Sequence, residues 1–423
     1  MKTFDPQGVS ELSAKIMRAG PICDECLGRV ASKLGRGLSN ASRGELIRER
    51  LAIDGCEAKA GTCWVCGNLF DHIEEWACRA VEQVGDLEFA TYLFGVKLTS
   101  RLEQMDAFYE ERFPSKHRES LKHSLNRVMG IAFERRLARS ITVDFKAPQI
   151  SFVVDLSADQ VTMNVLSLYV YGRYRKLERG IPQTRWPCRQ CRGRGCEVCG
   201  FSGKQYPDSV EEIIAGSLIE LAGAEAACLH GAGREDIDAR MLGNGRPFVL
   251  ELMVPKRRSI DVSNVHELVN ESAGGRVEVT ALQLVNRRAV AWVKELRATK
   301  KYRAVVEFAE KVEPEQLQQA VGSLCGDVAQ QTPHRVSHRR ADRIRYRTVH
   351  EASGQAIDDA HAVIEFHGDG GLYIKELVSG DEGRTNPSLS GQLDVQARVT
   401  DLDVIEVCSG ELPESMVLSN GLS

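Results

Sequence analysis

The chain has 423 residues, enough for two or three domains with cores of their own. It contains no apolar run near the roughly eighteen residues that span a bilayer and no charged-then-apolar leader, so we expect a soluble, cytoplasmic protein without a membrane partner. The net charge of −4 decides nothing about partners, because acidic residues are spread while arginines cluster. Thirteen cysteines in a chain of this length favour thiolate metal sites over disulfides.

Residues 1–80 are predicted to form a helix-rich segment that binds a metal ion. Cys23 and Cys26 form one C-x2-C pair, and Cys63 and Cys66 form another. Two such pairs can present four thiolates to one tetrahedral ion, which predicts a structural zinc site. The alternative is a redox-active C-x2-C, but that needs only one pair, usually in a thioredoxin-like β-α-β setting that is missing here.

Residues 81–185 are predicted to begin with helices and to continue with strands. Residues 104–113 and 120–138 show the helical spacing of apolar side chains. Residues 148–156 and 163–177 are rich in β-branched and aromatic side chains, which is typical of strands.

Residues 186–207 are polar, glycine-rich and dense in cysteine, and we predict a linker with a second zinc site. Their cysteines have C-x2-C-x4-C-x2-C spacing, and Gly193 and Gly195 would let the short loop fold around an ion. Four thiolates leave no open coordination position, so this zinc is expected to hold shape. The arginines nearby could contact phosphates. The predicted ligands are Cys188, Cys191, Cys196 and Cys199, and the arginines are Arg185, Arg189, Arg192 and Arg194.

Residues 208–423 alternate helical and extended segments without a strict β-α-β rhythm, which favours an α+β domain with a largely antiparallel sheet. Either Asp208 or Ser209 can cap the first helix. The predicted elements are a helix at 208–221, a strand at 301–308, a helix at 314–325 and a strand at 361–366.

The stretch 233–248, GREDIDARMLGNGRPF, packs charged side chains among glycines and a proline, directly before an apolar segment. Such a loop is typical of a place where side chains are held out for chemistry. Arg234 lies two positions before Asp236 and can keep a carboxylate ionised inside a pocket that would otherwise raise its pKa. On charge pattern alone, a solvated turn is equally compatible, and Glu235, Asp236 and Asp238 are all candidates.

A second charged stretch, residues 335–347 (RVSHRRADRIRYR), carries six arginines and Tyr346, with only Asp342 opposing them. A stripe of this kind is the usual electrostatic footprint for a phosphate backbone. A charged surface strand or a partner-binding edge would show the same pattern.

Several segments, in this order, resemble those of the pseudouridine synthases. The GRED stretch resembles the motif in which an Arg-x-Asp turn supplies the catalytic aspartate, and KKYRAVV (300–306) resembles the segment with the active-site tyrosine. GLYIKELVSG (371–380) and RTNPSLSGQL (384–393) resemble later segments of the same family. Residues 81–185 are similar to a THUMP domain, an RNA-binding module, and QTRWPCRQCRGRGC resembles the linker of one branch. The resemblance covers nearly the whole chain and is strongest to the archaeal-type tRNA pseudouridine(54/55) synthases, the Pus-ten family.

The resemblance implies a zinc-bearing, THUMP-like N-terminal domain followed by a catalytic domain with a mainly antiparallel mixed sheet, in an α+β fold. Asp236 would be the catalytic carboxylate, because the spacing of Asp238 from Arg234 does not match the family turn. Tyr302 would pack on the target uracil, Lys375 would be the basic partner of Asp236, and for Tyr373 and Leu377 a core role is equally compatible. The implied substrate-binding residues are Tyr302, Tyr373, Arg234, Lys375 and Leu377.

The implied enzyme is an isomerase that acts on the T arm of tRNA without an organic cofactor, and we expect a monomer. The resemblance leaves open whether uridine 54, uridine 55 or both react, and whether the carboxylate attacks the sugar or the base. The alternative is a non-enzymatic, zinc-stabilised RNA-binding protein. That alternative explains the cysteines and arginines but not the Arg-x-Asp turn, Tyr302 and GLYIKEL together.

Overall fold

The computed structural model describes residues 7–57, 59–262, 265–337 and 341–418. The chain divides into two compact units, Met1–Leu166 and Ser167–Ser423. Within the described ranges, none of the helices combines the length and the apolar character that a membrane span requires. The finer division into four segments that the sequence suggested stays a prediction.

The first unit contains helices and a small sheet. The prediction that helices come before the strands in residues 81–185 is wrong in one respect, because a strand at Thr91–Lys97 precedes the two helices. Its helices are α1 (Gln7–Ala19), α2 (Asp24–Gly28), α3 (Asn40–Ile53), α4 (Ile73–Val84), α5 (Ser100–Arg112) and α6 (Leu121–Leu137). Its strands are β1 (Thr91–Lys97), β2 (Thr142–Val143), β3 (Ile150–Asp155) and β4 (Gln160–Val165). The strand order is β2-β1-β3-β4, with β1 parallel to β2 and β3, and β4 antiparallel to β3. The predicted helices at 104–113 and 120–138 and the strand at 148–156 are confirmed as α5, α6 and β3.

The core of the first unit extends from the N-terminal helices to the space between α6 and one face of this sheet. Alternate residues of β1 are buried, as the two-residue period of a strand requires. The ring of Phe94 stacks on Phe152 of β3 at 4.7 Å, and Phe133 of α6 lies 5.3 Å from Phe94. These aromatic contacts join the helix to the sheet.

The second unit contains one large mixed sheet with helices packed on it. Its strands are β5 (Leu168–Lys176), β6 (Ala226–Gly231), β7 (Arg240–Met253), β8 (Val277–Val285), β9 (Thr299–Phe308), β10 (Gly326–Gln331), β11 (Ile344–Ala356), β12 (His361–Gly368), β13 (Thr385–Asn386) and β14 (Ala397–Cys408). Its helices are α7 (Val210–Ala222), α8 (Val265–Ser272), α9 (Arg288–Glu295), α10 (Pro314–Gly322), α11 (Ile374–Ser379) and α12 (Leu389–Leu393).

The strand order is β13-β10-β11-β12-β9-β14-β7-β5-β8, and β6 pairs with β7. The pair β14 and β7 is parallel and the other pairs are antiparallel, which confirms the predicted mainly antiparallel mixed sheet. The β-rich stretch 163–177 is two strands rather than one. Its first part belongs to β4 and its second part is β5, which lies in the sheet of the second unit between β7 and β8.

Two predictions about local structure are settled by side-chain contacts. Ser209, not Asp208, caps α7, because its hydroxyl accepts a hydrogen bond from the Glu212 N–H at 3.2 Å. Asp208 instead pairs with Arg276 at 2.6 Å. In β9, Tyr302 and the alternate residues after it are buried, as predicted for residues 301–308.

Candidate active site

The charged loop of the GRED stretch joins β6 to β7, and we call residues 232–239 the Asp236 loop. Gly233 has a left-handed backbone (φ +78°), and a Cβ there would lie 3.0 Å from Lys300 Nζ and 3.3 Å from Arg246 Nη1. Glycine is therefore favoured at this position, because the turn needs a left-handed backbone and because two cations lie where a side chain would begin.

The Asp236 carboxylate is half-buried, with 34% of its side chain exposed, and is adjacent to two cations. Arg335 Nη1 lies 3.1 Å from both carboxylate oxygens, and Lys375 Nζ lies 3.7 Å from Oδ2. Lys375 is closer to Asp238, to which it donates a hydrogen bond of 2.6 Å. The structure thus brings Asp236 and Lys375 together, as the resemblance implied.

Arg335 is the cation in closest contact with Asp236, although its sequence pattern indicates part of a phosphate-binding stripe. Its Nε donates to Oε1 of the buried Glu376 at 2.6 Å, so it bridges two carboxylates. Burial opposes the charge on Arg335, but the neighbouring Glu376 and Asp236 outweigh it and raise the pKa of the guanidinium. Arg335 is a permanent positive charge beside Asp236.

The start of α11 positions Lys375 and Glu376. The buried side chain of Gln330 accepts from the Tyr373 N–H and donates to the Tyr373 carbonyl, both at 2.9 Å. Tyr373 itself is half-buried, and Leu377 is fully buried in the core of the second unit. A packing role is therefore sufficient to explain Leu377.

Tyr302 is buried in the central strand β9, which pairs with β12 and β14. Burial raises the pKa of its hydroxyl to about 12; the charge of Arg246 opposes this shift and that of Asp236 adds to it. The hydroxyl therefore keeps its proton at neutral pH.

Arg234 does not pair with Asp236 among the described residues. Its side chain is exposed and its guanidinium lies over the ring of Trp186, 4.9 Å from the centroid. The contact that we expected from Arg234 is made by Arg335 instead.

A buried polar network lies beneath the Asp236 loop. Glu235 and Arg246 form an ion pair at 2.8 Å, the Tyr174 hydroxyl donates to Glu235 at 2.9 Å, and Gln183 Nε2 donates to the Tyr174 hydroxyl at 2.8 Å. Burial alone would raise the pKa of Glu235, but the charges of Arg246 and Lys176 hold it below its usual range. The Glu235 carboxylate is therefore paired inside the fold, and it is no longer a candidate for the reactive carboxylate.

The same network holds the backbone of the loop at its start and in its middle. Lys176 Nζ donates to the carbonyls of Asp236 at 3.1 Å and Ile237 at 3.0 Å. Arg246 donates to the Ala232 carbonyl at 2.7 Å, and Gln183 donates to the Gly233 carbonyl at 3.0 Å. Loop carbonyls that accept from buried donors cannot shift without leaving those donors unsatisfied.

Lys300 is a further buried cation that sequence reasoning missed. It lies on the same face of β9 as Tyr302, and its Nζ approaches Gly233. Burial, aided by repulsion from Arg246 and opposed by Glu235, lowers the pKa of Lys300 to about 7. The two-residue period of the strand, starting from Tyr302, is the sequence signal that would have found it.

The first cysteine group is assembled in the first unit. The sulfurs of Cys23, Cys26, Cys63 and Cys66 all lie within 4.8 Å of one another, and Cys23 and Cys66 are 3.6 Å apart. A tetrahedral zinc ion with Zn–S bonds of about 2.3 Å needs sulfurs about 3.8 Å apart. The donor set and its spacing therefore fit this ion.

The second cysteine group is assembled in the second unit. The sulfurs of Cys188, Cys191, Cys196 and Cys199 lie within 4.8 Å of one another, and three of the pairs are 3.7 to 3.9 Å apart. Backbone N–H groups of Gly195 and Gly203 donate to two of these sulfurs at 3.2 and 3.3 Å. Such donors stabilise thiolates, so this group also fits a metal.

The arginine stripe is described in part, since residues 338–340 lie outside the described ranges. Arg343 and Tyr346 are exposed, while Arg345 donates to Thr332 at 2.8 Å and Arg347 to the Gly370 carbonyl at 3.1 Å. The described part of the stripe thus combines one site residue, Arg335, with a charged surface strand.

Comparison with known proteins gives matches to both units. The sequence model of the family described as "Pus10, C-terminal" matches residues 169–408, and that of the "Pus10 THUMP domain, archaeal" matches residues 76–155. A solved Cbf5-Nop10-Gar1 complex aligns with 47% of this chain and 45% of its own, with 18% identity and a TM-score of 0.31, a similarity too low to add to the assignment.

Curated relatives with the name tRNA pseudouridine synthase Pus10 include the following three. The one from Halorubrum lacusprofundi is 46% identical, covering 94% of this chain and 96% of that relative. The relative from Methanothrix thermoacetophila is 41% identical, with coverage of 96% and 95%. The relative from Archaeoglobus fulgidus is 44% identical, with coverage of 86% and 99%. Family models and relatives agree over nearly the whole length, and the chain therefore belongs to the Pus10 family of tRNA pseudouridine synthases.

Proposed function

We propose that the protein converts uridine 54, uridine 55 or both to pseudouridine in the T loop of tRNA, with Asp236 as the catalytic carboxylate. The observation that carries this proposal is the setting of Asp236, a half-exposed carboxylate beside two cations on a loop held by buried donors. Glu235 is used inside the fold, and Asp238 is paired with Lys375 at the surface.

The reaction breaks the N1–C1′ bond of uridine, rotates the base and forms a C5–C1′ bond, while C5 loses a proton and N1 gains one. A carboxylate must therefore act at the sugar or the base, and the detached base must be retained. Arg335 and Lys375 stabilise the negative charge on Asp236 before the reaction. Tyr302, protonated at neutral pH with a pKa of about 12, offers its ring to the base and a hydroxyl that is a donor rather than a base.

The target uridine must leave its stack to reach this site, which costs a few kcal/mol. Contacts to phosphates elsewhere can offset that cost. We assign these contacts to the THUMP domain and to exposed arginines of the second unit such as Arg343. Tyr373 and Arg234 are proposed to meet the RNA near the site, and Leu377 to support the pocket from the core.

Both cysteine groups are proposed to hold zinc in a structural role, because four thiolates complete a tetrahedral ion. Isomerisation involves no net redox change or group transfer, so no organic cofactor is proposed. We further propose that the enzyme acts as a monomer in the cytoplasm.

The test incubates unmodified tRNA transcripts with the protein and maps pseudouridine by carbodiimide-blocked primer extension. Transcripts with cytidine at position 54 or at position 55 show which uridine reacts. Asp236→Ala and Asp236→Asn should form no pseudouridine while binding tRNA within about twofold of the wild type, since a surface carboxylate contributes little to affinity. Asp238→Asn is the matched control and should retain activity. Normal product from Asp236→Ala would refute the assignment.

A further inference from the structure

The loop of residues 186–206, which we call the knuckle, presents a surface that its metal-binding group does not use. Phe201 is 73% exposed, and Val198 beside it is exposed as well. Three arginines of the knuckle, Arg189, Arg192 and Arg194, are also exposed. An exposed aromatic ring and exposed arginines on one short loop are the composition of a surface that binds single-stranded nucleic acid.

The backbone at Phe201 is strained in a way that packing does not explain. Its φ is +61°, a left-handed conformation that costs a bulky residue free energy and suits glycine. The conformation is fixed, because the Phe201 N–H donates to the Cys196 carbonyl at 2.8 Å and its own carbonyl oxygen would lie 2.9 Å from a Cβ at Gly195. Since the ring is neither buried nor favoured by the backbone, its presence indicates a contact outside the chain.

The side chains of the knuckle other than its cysteines carry a net charge of +3, which a zinc ion with four thiolates, together −2, would reduce to +1. Glu197 is the one acidic residue between positions 186 and 206. Lys204 pairs with Glu212 at 2.5 Å, but no carboxylate of the described residues pairs with the three exposed arginines. Their charge is free to meet a phosphate backbone.

The knuckle adjoins the candidate active site. Trp186, at its base, packs edge-on against Tyr206 at 5.7 Å and lies under the guanidinium of Arg234 at 4.9 Å. Arg234 is two residues before Asp236 on the same loop. The base of the knuckle therefore contacts the loop that carries Asp236.

We propose that the knuckle binds an unpaired stretch of the substrate RNA. Phe201 stacks on an unpaired base, and Arg189, Arg192 and Arg194 contact the flanking phosphates. The identification of this RNA as tRNA rests on the proposed function, whereas the contact itself rests on the knuckle.

The decisive variant is Phe201→Gly. Glycine suits the left-handed backbone, so this change removes the ring while relieving strain, and the knuckle should stay folded. The dissociation constant for unmodified tRNA should increase about tenfold or more, and KM should increase with it while kcat at saturating tRNA stays within about twofold. Phe201→Trp should restore binding. Ile357→Ala, at another exposed apolar side chain, is the matched control and should bind like the wild type.

The arginines are tested by the salt dependence of binding. The double variant Arg189→Gln/Arg192→Gln should lower the slope of log K against log salt by about 1.4, the value for two lost contacts to a single strand. Arg398→Gln, at an exposed arginine that pairs with Glu307 at 2.6 Å, is the control and should leave the slope unchanged. Zinc content measured for each variant reports whether the cysteine group is intact.

Wild-type affinity in both Phe201→Gly and the arginine double variant would overturn the proposal. If the wild type forms no pseudouridine but Phe201→Gly still weakens tRNA binding, the knuckle contact stands and the proposed function fails. If the wild type forms pseudouridine while Phe201→Gly and the arginine double variant both keep its affinity and KM, the proposed function stands and the knuckle contact fails.

Discussion

Replacing Arg246 with methionine should strongly destabilise the second unit. Arg246 and Glu235 are each 1% exposed and lie 2.8 Å apart, so the substitution leaves a buried carboxylate without its closest cation. Removing one partner of a buried ion pair costs about 3–5 kcal/mol of unfolding free energy. The Tyr174 hydrogen bond to Glu235 survives the change and keeps the loss within this range.

This magnitude is large enough to measure by thermal unfolding. For a unit of this size, each kcal/mol shifts the midpoint by about 2–4 °C, so the variant should unfold about 6–20 °C below the wild type. Differential scanning calorimetry of the full chain gives both the midpoint and the enthalpy. Urea titration gives the free energy independently.

The double variant Glu235→Gln/Arg246→Met is the matched control. Without a charge at position 235, the penalty of an unpaired buried ion disappears, so the double variant should be more stable than Arg246→Met alone. A loss below about 1 kcal/mol in Arg246→Met, or a double variant whose loss equals the sum of the two single losses, would refute the reasoning.

The pH dependence follows from the same pair. The pKa of Glu235 lies below its usual value, so its contribution to stability is present above the unfolded pKa of about 4.3 and is lost as pH falls through the lower folded value. In Arg246→Met, burial is less opposed and should raise that pKa above the unfolded value. The stability difference between wild type and variant should therefore shrink as pH is lowered from 8 towards 4.5.

Lys176→Met should lower kcat more than it raises KM, because it frees the two loop carbonyls next to the Asp236 side chain; steady-state assays at saturating tRNA check this. Arg335→Gln should reduce kcat by about tenfold or more with unchanged tRNA affinity, since one charged contact to Asp236 is lost. The pKa of Lys300 is about 7 in the folded protein and about 10 in the unfolded chain, so the unfolded chain binds more protons between these pH values. The free energy of unfolding should therefore rise as pH increases from 7 to 10. Urea titrations of Lys300→Met should not show this increase. Cys26→Ser, or treatment of the wild type with a zinc chelator, should lower the unfolding temperature of the first unit, as calorimetry would show.

The elements that the sequence predicted correctly have dense local patterns. In β9 every second residue from Tyr302 is apolar, and in α7 Ser209 stands directly before an apolar helical face. The stretch 163–177 was harder, because β-forming residues continue across the break at Ser167. Strand β4 pairs with its neighbour β3, and this pairing decides where β4 ends. Strand β5 pairs instead with β7 and β8, which lie far along the chain. Such long-range pairing has no local signal.

In the candidate site, too, the residues within motifs were predicted, whereas contacts between residues far apart in the sequence were not. The resemblance of the motifs to those of the pseudouridine synthases implied that Lys375 lies beside Asp236, and the two side chains lie 3.7 Å apart. The contact between Arg335 and Asp236 could not be predicted from the sequence, because the two residues are 99 positions apart. The arginine stripe that contains Arg335 is, moreover, typical of a phosphate-binding surface. Arg234 misleads for the opposite reason, since it is close to Asp236 in sequence but its side chain stacks on Trp186.

Two adjacent acidic residues, Glu235 and Asp236, have different partners because the loop turns one inward and the other outward. Glu235 contacts Arg246 and Tyr174 inside the fold, and Asp236 contacts Arg335 at a half-exposed position. The inner pair does not touch the site where the reaction would occur, yet its cation also binds the carbonyl at the start of the loop. The ion pair between Glu235 and Arg246 fixes the backbone next to Asp236. The Asp236 side chain is therefore directed away from the interior. In the GRED stretch, the buried Glu235 thus helps to orient Asp236, the carboxylate that we propose to react.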